Sequence, residues 1–380
     1  MKTKKALKVY MAMSGGVDSS VGAYLLQKQG YDVTGVYMKN WSEESFGGKF
    51  AKYCPWRKDL ADVKNVCRIL NIPVKVYNFE KEYNRKVINY FFEGEKKGLT
   101  PNPDVVCNRE IKFGLFLNKA LREGADMIAT GHYTRRSREF KILNFKFKNK
   151  INHKNYKKIE IYKLYPAKDK NKDQSYFLCT LTQKQLAKSI FPLGDYIKPE
   201  IRKIAKQLKL PNADKPESMG ICFVGEVKLE EFLKARIKEK HGDIISTEGE
   251  VIGKHKGLPF YTIGQRRGIE IGGGMPYYVV GKDLKRNQLI VAKGSHLPQL
   301  YSKSLLIKNM HWISGKAPRL PLSCQAIIRY RQDLQRAKIS RSAGNLKVSF
   351  SSKQRAVTPG QFCALYEKGV LLGGGEIISQ

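Results

Sequence analysis

The chain lacks long apolar runs and is short of acidic residues. No stretch of about 18 consecutive apolar side chains occurs in its 380 residues, which excludes a typical membrane-spanning helix. Only 34 Asp and Glu accompany 70 Lys and Arg, giving a formal net charge of +36 at pH 7. Such an excess favours a polyanionic partner, with nucleic acid as the first candidate. A lysine-rich proteome would give the same bias, because lysine is scattered along the whole chain.

Cysteine is also scarce. The seven cysteines are odd in number and contain no Cys-x-x-Cys pair, which disfavours both a disulfide framework and a structural zinc site. The first apolar run begins directly after a short basic start, so we expect no cleavable targeting peptide. We therefore expect a cytoplasmic protein whose functional cysteines act as thiols.

Two common nucleotide-binding motifs are missing as well: the Gly-Lys-Ser/Thr ending of the Walker loop and the three-glycine dinucleotide fingerprint. Residues 14–20 instead read Ser-Gly-Gly-Val-Asp-Ser-Ser, between an apolar run at 7–13 and a helical pattern that ends at Gly30. Glycine backbone N–H groups, serine hydroxyls and the helix N-terminus together form an anion cradle. The alternative is an ordinary glycine-rich turn that opens a helix.

Alternating strands and helices are typical of residues 1–212. We predict strands at 32–38, 73–79 and 127–130, helices at about 59–70 and 83–97, a loop at 98–109, and a helical region at 182–210. This order favours an α/β domain with a doubly wound parallel sheet, whose ligands lie at the carboxyl ends of the strands. The Ser14 loop and the Gly131-His132 pair both fall at such ends.

The rest of the chain has shorter elements. A glycine-rich segment at 213–294 predicts a small mixed domain, and short strands with turn signals at 295–380 predict a C-terminal β-barrel. Residues 135–172 interrupt the first domain, and lysines alternate there with aromatic residues. This basic ribbon, at about 135–163, predicts either an RNA-facing hairpin or a solvated surface hairpin.

Two cysteines have neighbours that suit chemistry. Cys107 follows a proline-stiffened loop, where a helix N-terminus and Arg109 would favour its thiolate and Asp104 could act as a general base. Cys222 lies in a short apolar turn between two glycines. Each could equally be a small buried hydrophobic residue, which is the usual role of free cysteine.

The Ser-Gly-Gly-x-Asp-Ser pattern resembles the loop of the ATP pyrophosphatases, and seven further blocks make the resemblance specific. The whole chain resembles the tRNA-specific 2-thiouridylases, which replace the C2 oxygen of the wobble uridine by sulfur. The blocks occur in the family's order at 14–20, 102–108, 129–133, 172–177, 220–223, 262–266, 329–331 and 358–361. The resemblance implies an N-terminal ATP pyrophosphatase domain, a small central domain and a C-terminal β-barrel that binds tRNA.

The resemblance also implies residue roles. Catalysis would use Cys107, Cys222 and Asp104, and Asn102, Pro103 and Asp104 would meet a uridine flipped out of its stack. ATP would be bound by Ala12, Met13, Ser14, Gly15, Gly16, Val17, Asp18, Ser19, Met38 and Gly131, with Asp18 helping to place Mg²⁺. Transfer RNA would be contacted by His132, Lys172, Asp173, Gln174, Arg329, Tyr330 and Gln361.

The implied reaction adenylates the uridine C2 oxygen with ATP and then brings sulfur from a Cys222 persulfide, with Cys107 forming a transient disulfide. A persulfide donor protein would supply the sulfur, and we expect a monomer without an iron–sulfur cluster. One competing hypothesis is another enzyme with the same loop, either an amidating synthetase, which needs no cysteine pair, or a 4-thiouridine synthase. A second is a non-catalytic RNA-binding protein, which would not convert ATP to AMP.

Overall fold

We describe the protein from a computed structural model. It describes residues 5–48, 50, 54–144, 156–216, 227–272, 274–294 and 297–379. Across these residues no helix is both long and apolar enough to cross a membrane.

The first domain is built on a parallel five-stranded sheet. Its strands are β1 (Lys8–Met13), β2 (Asp32–Lys39), β3 (Val74–Asn78), β4 (Met127–Ala129) and β7 (Ser189–Ile190), in the order β3-β2-β1-β4-β7. The central strand β1 is buried along nearly its whole length, which explains its continuous apolar sequence. The predicted parallel sheet is confirmed.

Helices cover the two faces of this sheet. They are α1 (Val17–Lys28), α2 (Trp56–Ile69), α3 (Glu80–Tyr83, Asn84–Ile88 and Asn89–Lys96 in succession), α4 (Pro103–Cys107, Asn108–Phe116 and Leu117–Arg122 in succession), α5 (Gln183–Ala187) and α6 (Lys198–Gln207). The middle segments of α3 and α4 are π-helical.

Two local predictions are wrong. The segment at 98–109 is not all loop, because α4 begins at Pro103, with Asn102 as a side-chain cap and proline in the first turn. The region at 182–210 is not continuously helical either. The short edge strand β7 separates α5 from α6 and pairs with β4.

The basic ribbon begins and ends as an antiparallel hairpin. Strand β5 (Thr134–Asn144) pairs with β6 (Tyr156–Pro166), and β6 meets the last strand of the barrel through Leu164 and Leu371. Ion pairs between Arg138 and Glu160 and between Lys163 and Glu139 cross this part of the hairpin. The cationic residues at 145–155 lie outside the described residues.

The central domain is a small four-stranded sheet preceded by a helix. Helix α7 (Leu229–Lys234) leads to β8 (Gly242–Ser246), β9 (Val251–His255), β10 (Tyr277–Asp283) and β11 (Gln288–Lys293). The strand order is β10-β11-β8-β9, and Ile244, Val279, Leu289 and Val291 form much of a separate core.

The C-terminal strands close into a six-stranded barrel. They are β12 (Tyr301–Trp312), β13 (Leu322–Ile327), β14 (Gln335–Ser342), β15 (Asn345–Arg355), β16 (Phe362–Glu367) and β17 (Val370–Ser379). Pairing of β12 with both β15 and β17 closes the ring. The barrel prediction is confirmed, whereas the exact domain boundaries stay predictions.

The segment before α4 joins all three domains. Lys282 of the central domain donates to the Gly98 carbonyl at 3.4 Å, and the Thr100 N–H donates to the Pro359 carbonyl of the barrel at 2.9 Å. Gly360 has φ +94°, and a Cβ there would lie 2.9 Å from the Thr100 backbone. The barrel therefore approaches the α4 entry closely only because residue 360 has no side chain.

We predict that Gly360→Ala destabilises the protein more than Gly369→Ala. Both glycines have positive φ (+94° and +78°), but a Cβ at Gly369 has no atom within 4 Å. Both variants should lose about 1 kcal/mol to backbone strain, and Gly360→Ala a further 1–3 kcal/mol or so to overpacking. Urea unfolding of the two variants measures the difference, and equal losses would show that this approach is not tight.

Candidate functional site

The Ser14 loop folds as an anion cradle at the carboxyl end of β1. Gly15 has φ +77°, and a Cβ there would lie 2.8 Å from the Asp59 carbonyl oxygen. The Ser14 and Ser19 hydroxyls lie 3.3 Å apart, and the Ser19 hydroxyl donates to the Gly16 carbonyl at 3.0 Å. Gly16 begins α1 without a side-chain cap, so the first turn of the helix keeps the backbone arrangement that binds anions.

A second segment braces this loop. The Asn212 amide donates to the Gly15 carbonyl at 3.0 Å and to the Ser20 hydroxyl at 2.9 Å. Lys215 forms ion pairs of 2.7 Å with both Asp59 and Asp62 at the start of α2. The sequence analysis missed these braces, because nothing in the local sequence links residues almost 200 positions from the loop to it.

Asp18 is held by two side chains that the sequence analysis also missed. The Lys198 ammonium lies 2.7 Å from each carboxylate oxygen of Asp18, and the Tyr133 hydroxyl donates to the same carboxylate at 2.7 Å. Lys198 is only 7% exposed. Its position at the first turn of α6, directly before Pro199, gave no sequence signal for a buried charge.

The other predicted ATP-binding residues surround the cradle. Ala12, Met13 and Val17 are buried at the end of β1 and the start of α1. A Cβ at Gly131 would lie 3.2 Å from the Ser19 amide nitrogen, so residue 131 abuts the first turn of α1. Met38 is buried near the end of β2, the neighbouring strand. The structure thus brings the whole predicted set to one edge of the sheet.

Cys107 lies in the second turn of α4 and is 1% exposed. Asn102 caps this helix by accepting the Val105 N–H at 3.2 Å, and Asp104 lies one turn before the thiol. The helix becomes π-helical directly after Cys107, and such segments are frequent at functional sites. Cys222, the other predicted catalytic cysteine, lies outside the described residues.

A cleft of about 490 Å³ separates α4 from the barrel. Its lining includes Val106 and Arg109, on either side of Cys107 in the sequence, and Phe362 and Glu376 of the barrel. This volume is typical of sites for small ligands. The helix that carries Cys107 therefore lines a cavity at the boundary between the first domain and the barrel, which we name the seam.

The 172–177 block forms one side of the same seam. The Asp173 carboxylate accepts the Ala167 N–H at 2.9 Å and the Ser175 hydroxyl at 2.8 Å, and burial raises its pKa. The Gln174 side chain accepts the Tyr133 N–H at 3.0 Å. Lys172 is half-buried beside them. Asp173 and Gln174 are thus engaged within the protein, and Gln174 contacts the residue that holds Asp18.

The barrel supplies the other side. The Tyr330 ring packs 4.7 Å from the Phe177 ring, centroid to centroid, and the Phe177 carbonyl accepts the Asn108 amide at 3.3 Å. Arg329 beside it is exposed and donates to the Arg355 carbonyl at 3.1 Å. The structure therefore brings the 172–177 block, the 329–331 block and the Cys107 helix together.

Gln361 also lies in the seam, bonded to the start of α4. Its side chain accepts the Asn102 amide at 3.2 Å and donates to the Thr100 carbonyl at 2.8 Å. Pro103 begins the helix directly after this contact. In this conformation the Gln361 and Asn102 side chains are hydrogen-bonded to each other. Their predicted contacts with tRNA stay predictions.

His132 is buried in an aromatic environment. Its Nδ1 lies 2.8 Å from the Thr130 hydroxyl, and its ring lies 5.9 Å from the Phe113 ring. Burial, together with the nearby Lys112 charge, lowers the pKa of His132 well below its usual range. The imidazole is neutral at physiological pH, and its predicted contact with tRNA stays a prediction.

The fold and site define a class of protein: a nucleotide-binding α/β domain joined to two β modules. Three family profiles match in that order: "tRNA methyl transferase HUP domain" at residues 7–226, "tRNA methyl transferase PRC-barrel domain" at 230–293 and "Aminomethyltransferase beta-barrel domain" at 302–377. The chain belongs to the family of tRNA-specific 2-thiouridylases. This membership makes it a tRNA-uridine 2-sulfurtransferase.

Curated relatives carry this assignment over nearly the whole length. The 2-thiouridylase of Legionella pneumophila strain Paris is 49% identical, covering 97% of this chain and 98% of its own. That of Idiomarina loihiensis is 46% identical, covering 97% and 95%. That of Shouchella clausii is 45% identical, covering 99% and 98%. The resemblance seen in the sequence blocks is confirmed.

We predict that His132 makes stability depend on pH. The unfolded chain takes up a proton at His132 near pH 6.5 and the folded chain does not, so the free energy of unfolding falls as the pH drops below 6.5. His132 should contribute a fall of about 1.4 kcal/mol in the free energy of unfolding per pH unit.

Urea unfolding of the His132→Asn variant should show a shallower fall in the free energy of unfolding between pH 6.5 and 5. The control is His241→Asn, at an exposed histidine. If both variants keep the wild-type slope, the buried imidazole is not its source.

Proposed function

We propose that the chain activates the C2 oxygen of a tRNA wobble uridine by transfer of AMP from ATP, and then replaces that oxygen with sulfur. A single observation carries this proposal: the anion cradle at Ser14 and the Cys107 helix belong to one connected site. Gln174 and Tyr133 link the seam to Asp18 of the cradle through hydrogen bonds of 3.0 and 2.7 Å. These contacts support the proposal that a base bound at the seam reacts with a nucleotide in the cradle.

The adenylation step uses the cradle. The uridine C2 oxygen attacks the α-phosphorus of ATP, and pyrophosphate leaves toward the backbone of Gly15 and Gly16 and the Ser19 hydroxyl. A carbonyl oxygen is a poor leaving group, whereas AMP is a good one. Lys198, buried beside Asp18, adds a cation that neutralises charge on the departing pyrophosphate.

A magnesium ion suits the donors present. The Asp18 carboxylate is an oxygen ligand of the kind that Mg²⁺ prefers, and it lies at the edge of the cradle. The ion would come with ATP and supply neutralisation of phosphate charge. Since Lys198 and Tyr133 now occupy both Asp18 oxygens, Asp18 would have to exchange partners when the metal–nucleotide complex arrives.

The sulfur step needs two thiols. A persulfide on Cys222 attacks C2 through its terminal sulfur, and AMP leaves with the former C2 oxygen. The Cys107 thiolate attacks the Cys222 sulfur, which frees 2-thiouridine and leaves a disulfide that an external thiol reductant then reduces. Alternatively, Cys107 attacks first and releases hydrosulfide, which then attacks C2. Asp104, one helical turn before Cys107, would accept the thiol proton.

The proposal extends to partners. A persulfide-carrying protein delivers the sulfur, and the flipped uridine is bound by Asn102, Pro103 and Asp104 at the start of the Cys107 helix. We also propose that the enzyme acts as a monomer. Reduction of the disulfide after each turnover requires a reducing compartment, which favours the cytoplasm.

We predict that Asp18→Asn lowers tRNA-dependent formation of AMP by about 100-fold or more while tRNA affinity persists. This substitution removes the carboxylate that pairs with the buried Lys198 ammonium, which is destabilising. The double variant Asp18→Asn/Lys198→Met removes that charge and should be folded but equally inactive. Measurements of AMP release and tRNA binding on both variants test this role, and loss of tRNA binding in the folded double variant would contradict it.

We predict that Cys107→Ser and Cys222→Ser abolish 2-thiouridine formation but retain a single turnover of pyrophosphate release. Cys324→Ser, at a buried cysteine in the barrel, is the matched control and should keep full activity. Nucleoside mass spectrometry and a pyrophosphate assay give the two readouts. Normal thiolation by either variant would exclude the two-thiol route and would favour an enzyme that uses the same loop without a cysteine pair.

A further inference from the structure

The turn at residues 262–268 of the central domain is rigidly built. The Gln265 side chain accepts the Thr262 N–H at 2.9 Å and donates to the Arg267 carbonyl at 2.9 Å. The Gly264 N–H donates to the Val279 carbonyl at 2.7 Å, and the Val279 N–H donates to the Gln265 carbonyl at 2.9 Å. Side-chain and backbone bonds therefore fix the turn against strand β10.

This turn presents two exposed arginines, Arg266 and Arg267. Within the described part of the chain, neither forms an ion pair, and the neighbouring Glu270 carboxylate is paired with Lys256 at 2.7 Å. The two arginine side chains are therefore neither packed in a core nor held by an ion pair with a described neighbour. A rigid turn that displays two uncompensated guanidinium groups is suited to an anionic partner.

The turn is continuous with the barrel side of the seam. A Cβ at Gly264 would lie 2.7 Å from the Ala356 Cβ and 3.7 Å from a guanidinium nitrogen of Arg355. The Arg355 guanidinium lies 5.5 Å from the Tyr278 ring, and the Arg355 carbonyl accepts from Arg329 at 3.1 Å. Contacts thus run without a break from the central domain to the seam.

Five arginines form this surface, which we name the arginine strip: Arg266, Arg267, Arg329, Arg331 and Arg355. Among the described residues none of the five is in an ion pair with a carboxylate. Two aromatic rings lie against it, since Arg331 stands 5.3 Å from the Tyr330 ring and Arg355 is near Tyr278. Guanidinium groups bind phosphates through paired hydrogen bonds, and aromatic faces tolerate stacked bases.

We propose that the arginine strip binds the phosphodiester backbone of the tRNA substrate, so that the Arg266–Arg267 turn of the central domain extends the RNA interface beyond Arg329 and Tyr330. This proposal rests on the proposed function, which supplies the RNA. Charge complementarity favours RNA, because the strip holds five guanidinium groups that no carboxylate pairs with among the described residues.

The test is the double variant Arg266→Ala/Arg267→Ala in the full chain, compared with Lys285→Ala/Arg286→Ala. The control pair is also adjacent and exposed, lies in the same domain, and removes the same charge, but it is located on the β10–β11 turn. Binding of the unmodified substrate tRNA is measured between 50 and 200 mM salt or thereabouts, together with kcat and KM for thiolation.

We expect the strip variant to bind tRNA about tenfold more weakly, with a salt slope shallower by about one to two. Its KM for tRNA should rise with kcat unchanged, because the strip does not touch the reacting atoms. The control should match the wild type. Equal losses in both variants would overturn the proposal, since total charge would then explain them. A loss confined to activation by a persulfide donor, with tRNA binding intact, would assign the strip to that protein instead.

If the proposed function itself is wrong, the experiment gives a different result. In that case the wild-type chain would make no 2-thiouridine and no tRNA-dependent AMP, while the binding comparison would still report on the strip. Since neither guanidinium group forms a described ion pair, and alanine keeps the backbone bonds of the turn, the thermal unfolding midpoint should be unchanged in the strip variant. A large shift in that midpoint would mean that the arginines stabilise the turn, and would also overturn the proposal.

Discussion

The contact between the barrel and the start of the Cys107 helix depends on the hydrogen bonds of Gln361. The Gln361 amide is satisfied by Asn102 and Thr100, while Asn102 caps the helix with the same side chain. One amide pair thus fixes the barrel and starts the helix. Because a buried polar group left without a partner is unfavourable, the two domains cannot separate here without losing both bonds. The orientation of the barrel and the position of the thiol are therefore set together.

A second set of contacts connects this seam to the nucleotide loop. Gln174 pairs with the Tyr133 backbone, and the Tyr133 hydroxyl reaches Asp18, which also holds Lys198. One polar network therefore connects the seam to the residues that hold Asp18 beside the cradle.

Sequence reasoning succeeded where signals were local. The strand, glycine turn and helix around Ser14 are encoded within about twenty consecutive residues, and the same holds for the short barrel strands. It failed at Pro103, where two prolines suggested a loop although Asn102 and Pro103 are also good helix-start residues. It also missed the two-residue strand β7, which exists only because β4 offers an edge.

The candidate site shows the same division. Glycine and serine in the cradle could be assigned from their order, whereas Lys198 and Lys215 could not, because their partners lie some 180 and 156 residues away. Gln361 and Asn102 are 259 residues apart, and only the folded chain shows that they bind each other. Long-range pairs of this kind depend on the packing of whole domains. A single sequence carries no direct record of them.

The burial of Cys107 has a consequence for the life of the enzyme between turnovers. Peroxide and other oxidants attack exposed thiolates and convert them stepwise to sulfinic and sulfonic acids, which are largely irreversible products. Cys107 is 1% exposed, so the folded chain shields it from that chemistry. In this conformation the protein itself therefore protects Cys107 from irreversible oxidation.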